Sequence, residues 1–458
     1  MKLSIYKIST GVVVCCMLLL VACRKDSLER KPDKQLVVPS TLQDFDALLN
    51  NTTTVFGSNY FVSTEVSAAD YDITDADYNG LSSARTRNIY TWKADIYEGS
   101  QDVPEWDKPY QQVFYCNVVL DGLENINVNA QNEAEFNNVK GKALFNRGYA
   151  FYNILQVFAA AYQSGADQLP GIPLRLTADI NVPSTRASLR ESYRQALSDV
   201  EASLALLPPT QPYLTQPASA AALALLAKIH LTMGDYQAAE EFSDKALVAA
   251  PALLDLNNLN VRASFPFELL NQETLFYRGI PADRTFNAPM CKIRQALYES
   301  YHNDDLRKQA FFEINADGSV SFKGHYTGSR NLFGGLAWDE VYLIKAEAAA
   351  WNGNMEGALQ ALNTLLKTRW KKDTYQEIKV DTKEELLDII WNERRKELLM
   401  RGIRWTDVKR LNAQVGTGIR LERQLNGETF HLTPNDPKFV MPIPDYVIEL
   451  TDIEQNRR

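Results

Sequence analysis

The stretch from Ala218 to Pro251 leaves this chain little choice of local structure. Leu223, Leu226, Ala227 and His230 recur at helical spacing, Gly234-Asp235-Tyr236 interrupts the run, and Ala239, Ala246 and Leu247 resume it. Gly234 permits a tight turn, and Ala227 and Ala239 are small enough for two helices to approach closely. Pro251 stops the second helix because it has no N–H to continue the ladder. The expectation is two antiparallel helices that cannot bury their apolar faces alone.

This pattern resembles a tetratricopeptide repeat, with His230 and Ser243 standing where the pattern prefers other residues. A weaker copy runs from Asp339 to Trp370, where Ala346 and Ala358 keep the offsets from Gly353 that Ala227 and Ala239 keep from Gly234. The two copies are too far apart for a tandem array, so other material must lie between them.

Glu133 to Ala161, Glu191 to Leu207 and Glu384 to Met400 read as further helices. Arg147 interrupts the apolar face of the first, which predicts a paired, half-buried arginine. Val55 to Tyr110, Arg278 to Pro289 and Phe322 to Gly335 are turn-rich and aromatic-rich, long for loops of a compact domain. The fold class expected is mainly α: tetratricopeptide-like hairpins in an α/α superhelix, with long aromatic-rich loops and minor β-hairpins.

At the start, Lys2 and Lys7 precede a short apolar run from Gly11 to Ala22, the layout of a secretory signal. The run is too short to cross ~30 Å of hydrocarbon. Leu20-Val21-Ala22-Cys23 resembles a lipobox, in which Cys23 becomes the acylated N-terminus. More than one acyl chain holds a protein stably at a membrane. The expected organisation is a signal peptide over 1–22, a tether over 23–38, and a helical domain over 39–458 with parts 39–265 and 266–458.

The formal charge of −9 grows more negative once Lys2 and Lys7 leave with the signal, which argues against nucleic acid as a partner. Of five cysteines, Cys15 and Cys16 leave with the signal and Cys23 is the lipid site. Cys116 and Cys291 remain; two buried free thiols are favoured over a disulfide, although sequence alone does not fix it.

Motifs of catalysis are missing: there is no G-x-S-x-G, G-x-x-x-x-G-K-[ST], H-E-x-x-H or C-x-x-C. The four histidines lack metal-ligand spacing, and His230 reads as a packed helix residue. No cofactor is expected. Asp75-Ala76-Asp77-Tyr78-Asn79-Gly80 matches the start of a calcium loop, so a structural calcium ion near Asp75 and Asp77 is an alternative to an Asp/Asn-rich turn. Thr86 stands where that loop needs its bidentate glutamate. Glu393 and Glu397 share a helical face, but Arg394, Arg395, Lys396 and Arg401 around them favour an ion-pair network over an acid/base pair. Among the rings of the aromatic tracts, Tyr71, Tyr78, Trp92 and Phe286 lie in turn-rich context and are the candidate ligand-binding residues. Trp106 and Tyr110, four apart before an apolar helix, read as packing.

An ordered set of segments resembles the SusD/RagB family of outer-membrane lipoproteins. It begins with Pro39-Ser40-Thr41-Leu42, Phe45 and Ala47 to Asn50, then Trp106, Tyr110 and Cys116 to Leu120. Gly141 to Leu144 with Arg147, Tyr149 to Tyr152, Gly171 to Leu174, and Asn303 to Arg307 follow. Asp339 to Ala348, Ala361-Leu362-Asn363, Arg369, Glu393 to Leu398, Gly402, Arg404-Trp405, Asp407, Pro442-Ile443-Pro444 and Glu449 complete it. Asn456 is followed by Arg457-Arg458 where the family usually has proline.

The resemblance implies a helical scaffold, a ligand site in inserted loops, no catalysis, and a SusC-like TonB-dependent outer-membrane transporter as partner. Its ligands would be glycans or, in some members, peptides. Ligand-binding rings are not part of the shared pattern, so Tyr71, Tyr78, Trp92 and Phe286 rest on their local context alone. A tetratricopeptide-type interaction scaffold is the second reading and predicts a peptide groove on the helices. An envelope glycosidase is the third and needs a facing carboxylate pair.

Overall fold

The computed structural model describes residues 39–458, so the signal, Cys23 and the tether lie outside the described residues. Ten helices of eight residues or more carry the architecture: α1 (Leu42–Leu49), α2 (Pro104–Leu123), α3 (Glu133–Phe158), α4 (Leu189–Leu204), α5 (Ser219–Met233), α6 (Tyr236–Leu247), α7 (Trp338–Trp351), α8 (Met355–Lys367), α9 (Lys383–Glu397) and α10 (Arg404–Gln414). Strands are short and form two-stranded antiparallel pairs, the longest being Leu421–Leu425 with Glu428–Leu432. None of the helices is long and apolar enough to cross a membrane, among the described residues.

The second half of α3 is buried on every side, from Gly141 to Phe158, which makes it the central post of the fold. Its glycines let α4 press close: a Cβ on Gly148 would meet Val200 Cγ2 at 2.7 Å and the Ala196 carbonyl oxygen at 2.8 Å. Arg147 is buried more deeply than half. It makes a bidentate pair with Asp199, 2.7 Å on both branches, and donates to Asn117 Oδ1 at 3.0 Å. That fork explains how a charge can interrupt an apolar face: its donors are met inside the protein.

Both expected hairpins are present. Gly234 (φ 77°) and Gly353 (φ 81°) take the left-handed conformation that closes each first helix, and Asp235 and Asn354 cap the helices that follow. Distant in sequence, the hairpins are neighbours in space, with α6 against α7. Ala227, Leu231, Ala239, Ile344 and Ala348 form one buried cluster between them. Lys345 Nζ crosses that seam to Glu240 (2.9 Å) and Asp244 (2.7 Å). The chain between the copies contributes to the main core, with Phe276, Ile293, Tyr301, Phe312 and Phe333 buried there. His230 packs as expected, stacked on Phe242 at 5.4 Å.

Val55 to Tyr110 is not a solvent loop: it contains the short helices Val62–Ser67, Asp75–Asn79 and Ala84–Tyr90, and most of its apolar residues join the main core. Trp106 and Tyr110 pack there as read, ring centroids 4.8 Å apart, with the Tyr110 hydroxyl donating to the Pro173 carbonyl. Cys116 and Cys291 are both buried free thiols.

Candidate functional site

The four rings chosen from sequence are brought together, but not as a binding surface. Arg423, reaching in from the Leu421–Leu425 strand, sits 3.7 Å from the Tyr90 ring, 5.1 Å from Trp92 and 5.8 Å from Tyr71. Its guanidinium donates to the carbonyls of Tyr90 and Val66. Tyr71 is 0% exposed and Trp92 1% exposed, and the Trp92 indole donates to the Ser67 carbonyl at 3.2 Å. Neither ring can offer a face to a ligand. Tyr78 and Phe286 are half-buried at the rim, 5.9 Å from Tyr90 and 6.3 Å from Tyr71 respectively. The reading of Tyr71 and Trp92 as ligand contacts is therefore corrected. They form a cation–aromatic knot that ties three segments together.

The segment read as the start of a calcium loop is helical. Asp75–Asn79 is a helical turn capped by Thr74, whose hydroxyl donates to Asp77 at 2.6 Å while Asp75 accepts the Asn426 backbone N–H at 2.8 Å. Asp75 and Asp77 thus serve as turn and capping partners.

Glu393 and Glu397 belong to a buried ion network. Arg307, itself fully buried, pairs with Asp305 (2.7 Å), Glu393 (2.6 Å) and Glu397 (2.9 Å). Arg369 bridges Glu397 and Glu273 at 2.8 Å each, and Arg401 holds Asp339 at 2.7 Å. Burial alone would raise the Glu397 carboxyl, but the Arg369 and Arg307 guanidiniums hold it below the usual range. Glu273, Asp339 and Glu397 lie close enough together to suggest a metal site. Arg369 and Arg401 already supply their counter-charge, and the cluster is sealed from solvent. Its role is to fix the inner face of α9.

The outer face of the same helix lines a groove of about 820 Å³. Glu384, Leu387, Asp388, Trp391, Asn392 and Arg395 recur every three or four residues and so share one side of α9. Trp351, at the end of α7, extends this floor: its ring lies 6.4 Å from Trp391 and stacks on Tyr236 at 5.0 Å. The Trp391 indole donates to Glu347 Oε1 at 3.0 Å, and Arg410 grips the same carboxylate with both branches, which fixes the ring's tilt. Lys383 Nζ lies 5.1 Å from the Trp351 ring centre.

The opposite wall is Val415 to Leu421. Asn412 pins it, accepting from the Ile419 N–H and donating to its carbonyl, both at 2.8 Å. The far end carries three guanidiniums. Arg294 pairs with Asp72 at 2.8 Å, and Arg395 with Asp70 at 2.6 Å. Arg404 reaches no closer than 3.9 Å to Asp70, and its Nε is buried without a hydrogen-bond partner. Burial, then repulsion from Arg395, lowers the Arg404 pKa to about 10. Burial, then Asp70, pushes the Glu65 carboxyl up to about 8. Asp70 and Asp407 act on Arg404 only at a distance, since neither makes a hydrogen bond to it. Flat indole faces at one place and unmatched positive charge at another suit a ligand with apolar ring faces and polar edges.

Sequence reading missed this groove because Trp351, Trp391 and Arg404 lie in segments taken as scaffold. One signal was available: Trp391 stands on the polar face of an amphipathic helix, between Asp388, Asn392 and Arg395. The knot around Arg423 serves the groove indirectly. It anchors the 66–72 segment and the 421–425 strand, from which Ala69 and Leu421 line the groove.

Fold and groove together define a helical scaffold of tetratricopeptide-type hairpins bearing a groove lined by aromatic rings and cations. Residues 26–231 match a family profile described as starch-binding associating with outer membrane, and residues 339–455 match that of the SusD family. The chain belongs to the SusD/RagB family, whose members are associated with the outer membrane. No curated protein sequence matches it. Solved structures do. A SusD superfamily protein from Bacteroides thetaiotaomicron shares 23% identity with a TM-score of 0.73, covering 91% of this chain and 100% of its own. A SusD-like carbohydrate binding protein from Bacteroides vulgatus has 18% identity and a TM-score of 0.71, covering 90% and 97%. A laminarin binding SusD-like protein has 14% identity and a TM-score of 0.63, covering 91% and 98%.

Proposed function

We propose that this protein is a lipid-anchored receptor that captures carbohydrate at the outer membrane and passes it to a TonB-dependent transporter. The observation that carries the reading is the Trp351–Trp391 floor, two half-buried rings held by fixed partners on the lining of the groove. Rigid rings bind sugar faces at low cost in conformational entropy. Family membership supports the setting, and the lipobox-like Cys23 supplies the anchor. The similar proteins from Bacteroides vulgatus and the laminarin binder support carbohydrate over peptide as the ligand class. Binding without turnover is the expected mode. Glu384 and Asp388, the carboxylates of the groove, lie one turn apart on one helix and do not face each other across a cleft as glycosidase pairs do.

Titration against a panel of polysaccharides and peptides, with product analysis as control, tests this. Saturable glycan binding, weakened at least tenfold by Trp351→Ala and without released sugar, is the expected result. Binding of peptides alone, or release of shorter sugars, would contradict it.

A further inference from the structure

The groove is electrically lopsided. Lys383, Glu384 and Asp388 lie at the start of α9, and Arg395, with Arg294 and Arg404 beside it, lies near its end. At 1.5 Å per residue, Glu384 and Arg395 are roughly 16 Å apart along the helix. Acids and guanidiniums therefore occupy different ends, and the two carboxylates do not neutralise the arginines.

At the guanidinium end the accounts do not balance. Asp72 answers Arg294, and Asp70 answers Arg395 with two hydrogen bonds, 2.9 and 2.6 Å. Both bonds fall on Asp70 Oδ1, which Arg404 approaches no closer than 3.9 Å, so Arg404 makes no hydrogen bond to the carboxylate and its Nε is left without a partner. A buried cation without a matched anion is costly, and such a site is relieved by an anion supplied from outside.

Building on the carbohydrate reading above, we propose that the groove selects acidic oligosaccharides, an oxyanion of the ligand docking on Arg404 while an adjacent sugar ring lies on Trp391. A guanidinium meets a carboxylate or a sulfate with parallel N–H donors, which gives direction as well as charge. Arg420 at the exposed rim adds positive field for the approach. The chain as a whole is net negative, so this cluster of arginines contrasts with the overall charge.

Two matched pairs test the idea: oligogalacturonate against its methyl ester, and a sulfated against an unsulfated galactan, titrated calorimetrically on wild type and variants. At least one acidic member should bind at least tenfold more tightly than its neutral twin, with affinity falling as NaCl rises from 50 to 300 mM. Arg404→Gln should cost about tenfold to a hundredfold on the acidic member, the usual span for a charged hydrogen bond. It should leave the neutral member within about twofold. Arg404→Lys should restore part of the loss. Arg404→Gln removes repulsion against Arg395, so the variant is expected to fold, and unchanged circular dichroism would verify it. Which pair responds separates a carboxylate from a sulfate ligand. Equal binding of neutral and acidic members, unaffected by Arg404→Gln, would overturn the selectivity and leave carbohydrate binding standing. Failure of every glycan would sink both readings. Acidic peptides binding at Arg404 in place of sugars would overturn the ligand class.

Discussion

Arg307→Met is the sharpest test of how α9 is held. The guanidinium contacts Asp305, Glu393 and Glu397 in a fully buried place, and methionine of similar length can give none of its hydrogen bonds. Losing one partner of a buried ion pair costs roughly 3–5 kcal/mol, chiefly because the other charge is left unpaired. Here the loss is cushioned: Glu397 keeps Arg369 and Glu393 keeps Lys396. Asp305 keeps only a backbone N–H, from residue 307 itself. A loss of about 4 kcal/mol at pH 7.5 is expected. At about 2.1 cal/mol/K per residue, this lowers Tm by roughly 5 °C for a body of this size.

The pH dependence gives the decisive sign. With arginine present, Glu393 and Glu397 are held below the usual carboxylate range, so their contribution is present above the unfolded pKa and fades as pH falls through the folded one. With methionine they take up protons more readily, and the orphaned charges disappear on acidification. The wild-type advantage should shrink between about pH 5 and pH 4. Urea denaturation at pH 7.5 and pH 4 measures it. A difference below about 1 kcal/mol at pH 7.5, or one unchanged at pH 4, would refute the view that charge compensation holds α9.

Three further outcomes follow from other parts of the fold. Ala348→Leu inserts bulk into the fully buried seam between the hairpins and should cost about 1–3 kcal/mol by urea denaturation; no loss would mean the seam is loosely packed. Glu65 contributes most while protonated, below its unfolded pKa, and that contribution is lost as pH rises through about 8. Glu65→Gln should therefore match wild type near pH 4.5 and exceed it by up to about 4 kcal/mol at pH 9; parallel stability curves would contradict the assignment. Burial pushes the Cys116 and Cys291 thiols up, so the processed chain should release two thiols to a colorimetric reagent only after denaturation. Reaction in the native state, or none after unfolding, would contradict two buried free cysteines.

How much of this was legible before the structure depends on the range of the forces involved. The hairpins were legible because Gly234, Gly353 and the small residues around them act locally, through turn geometry and helix approach. The ion network was legible in outline because Glu393 and Glu397 are surrounded in sequence by arginines, although Arg307 and Arg369 come from elsewhere. Tyr71 and Trp92 were misread as ligand contacts because the residue that buries them, Arg423, is distant in the chain. Turn-rich context says that a segment bends, not which face of it meets solvent. The groove needed the same non-local knowledge. Trp351 and Trp391 become a floor only once α7 and α9 pack together, and Arg404 joins Arg294 and Arg395 only through the fold that brings Asp70 and Asp72 beside them.

The central claim is that sugar rests on the outer face of α9. A crystal structure of the protein with an oligosaccharide chosen from the panel measures this most directly. The account predicts a sugar ring against Trp391 or Trp351 and an acidic substituent within hydrogen-bond distance of Arg404. Ligand seated on Tyr78 and Phe286, with the α9 groove filled only by solvent, would contradict it.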